Sequence, residues 1–238
     1  MYKKGLSHIE FVVSFTIFIG FLVFAFVFFN PLQSQRTLKS TMDYAWIEVS
    51  REGRENIESY SVSIDTGYAS AVNFEIAGIP LDYNATAEDE NGNPIDVHRD
   101  SNGIVYLDRG TSNFIKILYS PALENSPFVS LGASLGTITP TTTTGNFYIS
   151  SSEIKDIYFE RLFLELNQSY YSDYAALKED LNLPNRIDFG FIITFDNHQI
   201  RAMNDLPEGI EVLSKNDRVE IIKQNGDHGF AEVTVLVW

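Results

Sequence analysis

Chemistry needs particular side chains at particular spacings, and the sequence offers a short set of candidates. Gly132-Ala133-Ser134-Leu135-Gly136 spells G-x-S-x-G, the pattern of a serine nucleophile raised on a strand-to-helix elbow. The elbow needs a helix after the serine, whereas the stretch that follows, TITPTTTT, has no apolar period, so no nucleophile is expected there. Asp96, His98 and Asp100 alternate and on one strand face could ligate a divalent metal. Two carboxylates and one imidazole in a turn-rich acidic region read better as solvated surface. The stretch from Glu88 to Asn93, EDENGN, lacks the ligand spacing of a calcium loop and reads as an acidic turn around Asn-Gly. His198 and His228 have no evident partners. The chain contains no cysteine, which removes thiolate catalysis, disulfides and Cys-ligated metals together. The expectation is a protein that is not an enzyme and has no catalytic, cofactor-binding or metal-binding residues.

The residue that stands out chemically is Glu10. It closes the stretch Lys3-Lys4-Gly5-Leu6-Ser7-His8-Ile9-Glu10-Phe11 and sits at the edge of an uncharged run, Phe11 to Phe29. A carboxylate there is costly to desolvate, so its placement asks for a function. As a helix the run extends about 28 Å, close to the hydrocarbon thickness of a bilayer. It exceeds the apolar region of an ordinary secretory signal and ends in Asn30-Pro31 instead of a small-residue cleavage site. Lys3 and Lys4 favour an inside amino terminus, narrowly, against Arg36 and Lys39 on the other flank.

The remainder suits a globular domain. Of 238 residues, 44% are hydrophobic and 21% charged, a balance that supports a folded head on one membrane segment and excludes both a disordered and a polytopic chain. The net charge of −15 repels phosphate backbones, so nucleic acid is not an expected partner.

Periodicity places the elements. Leu38, Met42, Ala45 and Val49 recur at helical spacing, so the helix is expected to continue past Pro31, which kinks it or starts a second one, and to stop near Gly53. Alternation then predicts strands at Tyr60, Val62 and Ile64, at Val72, Phe74 and Ile76, at Ile104 to Leu107 and at Phe114 to Tyr119. Residues 137–145, TITPTTTTG, read as a polar loop dividing the head. Tyr170, Tyr174, Leu177 and Leu181 share one face of a further helix ended by Pro184. Ile187 to Phe195 alternate strictly, and VEIIK and FAEVTVLVW flank QNGDHG as a hairpin. The expected fold class is α+β: a long N-terminal hydrophobic helix, then a strand-rich head with at least one further helix.

The basic pair, Gly5, the five-residue offset to Glu10 and the apolar run together resemble the class III signal of type IV pilins, particularly archaeal pilin-like proteins. The resemblance covers roughly the first fifty residues. It implies cleavage after Gly5 by a membrane-embedded prepilin peptidase, which makes residues 1–5 a leader, Leu6 the first mature residue and Glu10 the fifth. It also implies that residues 6–53 form a transmembrane and assembly helix, and that 54–238 form an extracellular head on a filament. Physical chemistry gives Glu10 its role: the α-amine freed at Leu6 is largely cationic at neutral pH, and pairing with it inside an apolar bundle fixes the axial register between helices. Ser14, Thr16 and Gly20 are small enough to let helices approach. Leu6 departs from the Phe usual in bacterial pilins, and the missing cysteines exclude their C-terminal disulfide loop; both departures favour the archaeal branch and leave methylation of the new terminus open.

The partners implied are the peptidase, copies of the same or other pilin-like subunits, and membrane lipid before assembly. The sequons Asn84-Ala-Thr86 and Asn167-Gln-Ser169 are candidate glycan acceptors on an exported head. A rival reading keeps the anchor but makes the head a monomeric binding or adhesion module; a surface hydrolase lacks a nucleophile, base and orienter set.

Overall fold

The computed structural model describes residues 4–65, 67, 69–126, 132–139, 147–206, 208–223 and 226–238, without the side chains of 4–8 and 27–37. Helix α1 runs from Lys4 to Glu52 as one element of 49 residues, or about 74 Å. It passes through Pro31 without dividing, so Pro31 starts no second helix. Gly53 ends it, its N–H donating to the Val49 carbonyl at 3.1 Å. The position needs glycine for close packing, because a Cβ on Gly53 would lie 2.4 Å from the Phe163 ring.

Thirteen strands follow among the described residues: β1 Arg54–Ile64, β2 Ala71–Ile76, β3 Asn84–Asp89, β4 Pro94–Ile95, β5 Val97–Arg99, β6 Ile104–Asp108, β7 Phe114–Ser120, β8 Ala133–Ile138, β9 Phe147–Phe159, β10 Phe189–Thr194, β11 Gln199–Ala202, β12 Leu213–Ile222 and β13 His228–Val237. Nine form one sheet in the order β11-β10-β13-β12-β9-β1-β7-β3-β4, and four form a second, β5-β6-β2-β8. The large sheet is nearly two sheets. β9 and β12 join it by only two parallel pairs, Ile221 with Tyr158 and Ile222 with Phe159, whereas β1 and β9 pair antiparallel along the whole of β1.

Each half buries its own core. Val62 and Ile64 of β1, with Ile115 and Ile117 of β7, face Val72, Phe74, Val105 and Leu107 of the second sheet, giving a β-sandwich whose alternation was readable in the sequence. In the other half, Phe189, Phe191, Ile193, Val233 and Val235 carry helices, and the α1 stripe belongs to this core: Met42, Ala45 and Val49 are buried, with Leu38 packed against them. A third cluster, including Ile57, Leu118, Leu123, Phe159 and Ile222, lies at the junction.

The expected single helix around residues 169–181 is two. Helix α2 spans Glu160–Ser172 and α3 spans Tyr174–Asp180. Asp173 breaks them, at φ −152° and ψ 79°; its side chain accepts the Ala176 N–H and caps α3, while its own N–H closes α2 on the Ser169 carbonyl. Asp, a strong cap former, here overrides the helical period. The shared face persists across the break: Tyr170, Leu177 and Leu181 are buried, and Tyr174 stacks on Phe189 at 5.6 Å.

The threonine-rich segment begins differently from expectation. Thr137 and Ile138 belong to β8, which pairs parallel with β2, because Ile138 fills the sandwich core. Thr139 follows, and 140–145 lie outside the described residues.

Two buried arginines hold the sandwich loops by their backbone carbonyls. Arg99 donates to the carbonyls of Ile79, Pro80 and Tyr83. Arg109 donates to those of Ala69, Ser112 and Asp65. A guanidinium's five fixed donors suit such a task better than a point charge does.

Candidate functional site

The candidate site is the first half of α1. From Ile9 to Phe26 this helix is long and apolar enough to cross a membrane, and none of that window is buried by the rest of the chain. Phe11 is 70% exposed and Phe26 75%. The apolar residues occupy the whole circumference, so no face is left to meet water. A helix of this kind needs an apolar solvent or other helices.

The residues singled out from the sequence fall on this exposed half. Gly5 and Leu6 lie within α1, their side chains outside the described set. Glu10 and Ser14 are exposed. Thr16 satisfies its hydroxyl locally, donating to the Val12 carbonyl at 2.9 Å, so it presents a methyl and a satisfied oxygen to a neighbour. A Cβ on Gly20 would meet nothing within 4 Å; the notch it leaves is open. Glu10, Ser14, Thr16 and Gly20 are brought together only by the helix, and among the described residues no part of the head buries that window.

The head residues weighed in the sequence resolve into structure. Ser134 sits inside strand β8, and the next element among the described residues is another strand, β9, where a nucleophile elbow needs a helix. Asp100 caps a turn, accepting the N–H groups of Asn102 and Ile104 at 2.9 Å each. Burial opposes its ionisation, but these hydrogen bonds, with those from the Asn102 and Tyr106 side chains, leave the carboxyl below its ordinary range. His98 places Nδ1 2.7 Å from the Ser126 carbonyl, and among the described residues no group of three His, Asp or Glu could hold a metal. Asp89 organises the Asn-Gly turn by accepting the N–H groups of Asn91 and Asn93 at 2.8 Å each, with Gly92 at φ +80°.

Both histidines do have partners, which the sequence did not reveal because they come from distant strands and helices. His198 Nε2 lies 2.7 Å from Glu160 Oε1. His228 lies between two carboxylates, 3.6 Å from Glu88 and 3.5 Å from Glu220, and Lys155 pairs with Glu220. The Lys155 hydrogen bond is the first cause that holds the Glu220 carboxyl below its ordinary value. Of the two sequons, Asn84 donates its side-chain amide to the Leu123 carbonyl at 2.8 Å. Asn167 lies on α2 with its side-chain oxygen buried.

Comparison with protein-family models, with curated proteins and with solved structures gave no match to this chain. The functional reading therefore rests on the residues and their arrangement.

Proposed function

We propose that this chain is a pilin-like structural subunit of a cell-surface filament, anchored in the membrane through α1 before assembly and packed by the same helix afterwards. The observation that carries the reading is the division of one continuous helix: its second half is built into the head, and its first half is apolar all round and covered by nothing among the described residues. Such a segment suits two environments, lipid and a bundle of like helices. The Lys3-Lys4-Gly5…Glu10 pattern supports processing after Gly5 by a prepilin peptidase, which supplies the amine that Glu10 pairs with in the bundle.

The test is Glu10→Gln. Insertion depends on the apolar run and stays unchanged, whereas an amine left without its counter-charge in a bundle costs about 3 to 5 kcal/mol, or two to three decades in subunit addition. Sheared-filament yield should collapse at equal membrane-fraction protein, and intact mass should place Leu6 at the mature terminus. Equal filament yield, or a mature terminus beyond Phe29, overturns the reading.

A further inference from the structure

A sheet edge offers unpaired N–H and C=O groups to any strand that reaches it, and folded proteins block such edges. Among the described residues the two sheets end at β11, β4, β5 and β8, and three of these edges are blocked. On β11 the Tyr171 hydroxyl donates to the Arg201 carbonyl at 3.1 Å, and Arg201 itself puts a charge on the strand. β4 is two residues long and begins with Pro94, which has no N–H to offer. On β5 the Asn125 side chain stands in for a strand, accepting the Arg99 N–H at 3.0 Å and donating to the Arg99 carbonyl at 2.7 Å.

β8 carries none of these devices. Among the described residues it is bonded to β2 alone, and Ser134, Gly136 and Thr137 are exposed. It also lacks charge. No Asp, Glu, Lys or Arg stands between Glu124 and Glu153, the longest such interval in the sequence. The ladder with β2 slips at Leu135; this bulge bends the edge and keeps any added ladder short.

We propose that β8 is a docking edge for β8 of a second copy of this chain, the two strands pairing antiparallel about a two-fold axis. Charge selects the occupant. At a net −15, copies repel one another over most of their surface, whereas a charged partner would call for the opposite charge on the edge. A neutral edge meets its own copy without either penalty. The faces agree as well. Ser134 lies beside Asn73 and Thr137 beside Glu75, and both of those alternate with the buried Val72, Phe74 and Ile76, so Ser134 and Thr137 share the outward face. A self-pair centred between Leu135 and Gly136 sets Ser134 against Thr137 of the copy. Such a contact closes on itself and joins heads two by two, independently of α1 and of whether that helix assembles.

The experiment uses the full chain in detergent micelles. Because the chain has no cysteine, introduced thiols report alone. Opposed residues of paired strands hold their Cβ atoms about 5 Å apart, near enough for a disulfide. An equal mixture of Ser134→Cys and Thr137→Cys chains should oxidise to a covalent dimer at least about tenfold faster than Gln199→Cys, a control on the blocked β11 edge. In a dilution series followed by sedimentation, Ser134→Glu/Thr137→Glu, which opposes like charges across the pair, should need about tenfold more protein than the wild type to associate, with an unchanged melting temperature. The crosslinking arm stands by itself if the double variant fails to fold. Crosslinking no faster than the control, or a folded double variant that associates like the wild type, overturns the proposal.

Discussion

The two halves of α1 belong to one continuous helix and meet opposite fates. Between Leu38 and Val49 the apolar positions return every three or four residues, and the head covers them; Ala45 and Val49 are fully buried. Between Ile9 and Phe26 almost every position is apolar, and the head covers none. A stripe specifies one partner in one direction, while a full circumference specifies a surrounding medium. The pattern of hydrophobicity, together with its amount, thus decides which half folds with the head and which half leaves it.

Truncation tests that contrast most severely. Removing residues 1–30 should leave the head's cooperative melt in place, whereas removing 1–52 strips Met42, Ala45 and Val49 from the helical core and costs about 5 kcal/mol or more, comparable to the whole stability of a domain; thermal melts by circular dichroism separate the two. Single charges sharpen the same comparison. Ala45→Asp should destabilise the head by about 3 to 5 kcal/mol, while Phe18→Asp should leave its melting temperature unchanged and weaken membrane insertion by about 3 kcal/mol, read by urea titration and by partition into vesicles.

A smaller effect is expected at the hinge between helix and sheet. Gly53→Ala drives a methyl into the Phe163 ring and should cost about 1 to 3 kcal/mol, recovered in part by Phe163→Leu. Alkaline titration then probes the head alone. Burial pushes the phenols of Tyr119 and Tyr174 up, and burial with the Glu58 carboxylate pushes Tyr60 to about 12. Raised values mean that stability is intact below the ordinary tyrosine value near 10 and is lost as pH climbs through the folded ones. The loss, followed by phenolate absorbance, should be the same with and without residues 1–30. The least effect belongs to the surface pair of Lys155 and Glu220. Glu220→Gln should cost under about 1 kcal/mol, and because its carboxyl is depressed that contribution is present above the ordinary carboxylate range and fades as pH falls through the folded value.

Local order was legible where one period governed. The stripe from Leu38 to Val49, the strictly alternating Phe189, Phe191 and Ile193 and the hairpin around Gly226 could all be read from spacing, because each buries one face against one neighbour. Reading failed where a local device beat the period, as Asp173 does between α2 and α3, and where a short apolar anchor drew a polar segment into a strand, as Ile138 does for β8. It also failed at the partners of His198 and His228, which come from a distant helix in the first case and from distant strands in the second. No spacing along the chain encodes a contact between β3 and the start of β13. The candidate helix site was the more legible because its residues are neighbours on one element.

The direct passage from α1 into β1 gives the chain a mechanical character. Only Gly53 separates Glu52 from Arg54, so tension applied to the helix enters the sheet at the first residue of β1. That strand is gripped on both sides, by β9 from Arg54 to Ile64 and by β7 from Glu58 to Ser63. Drawing the helix away from the head therefore requires two ladders to yield, and the pull passes into the most extensively paired strand of the head.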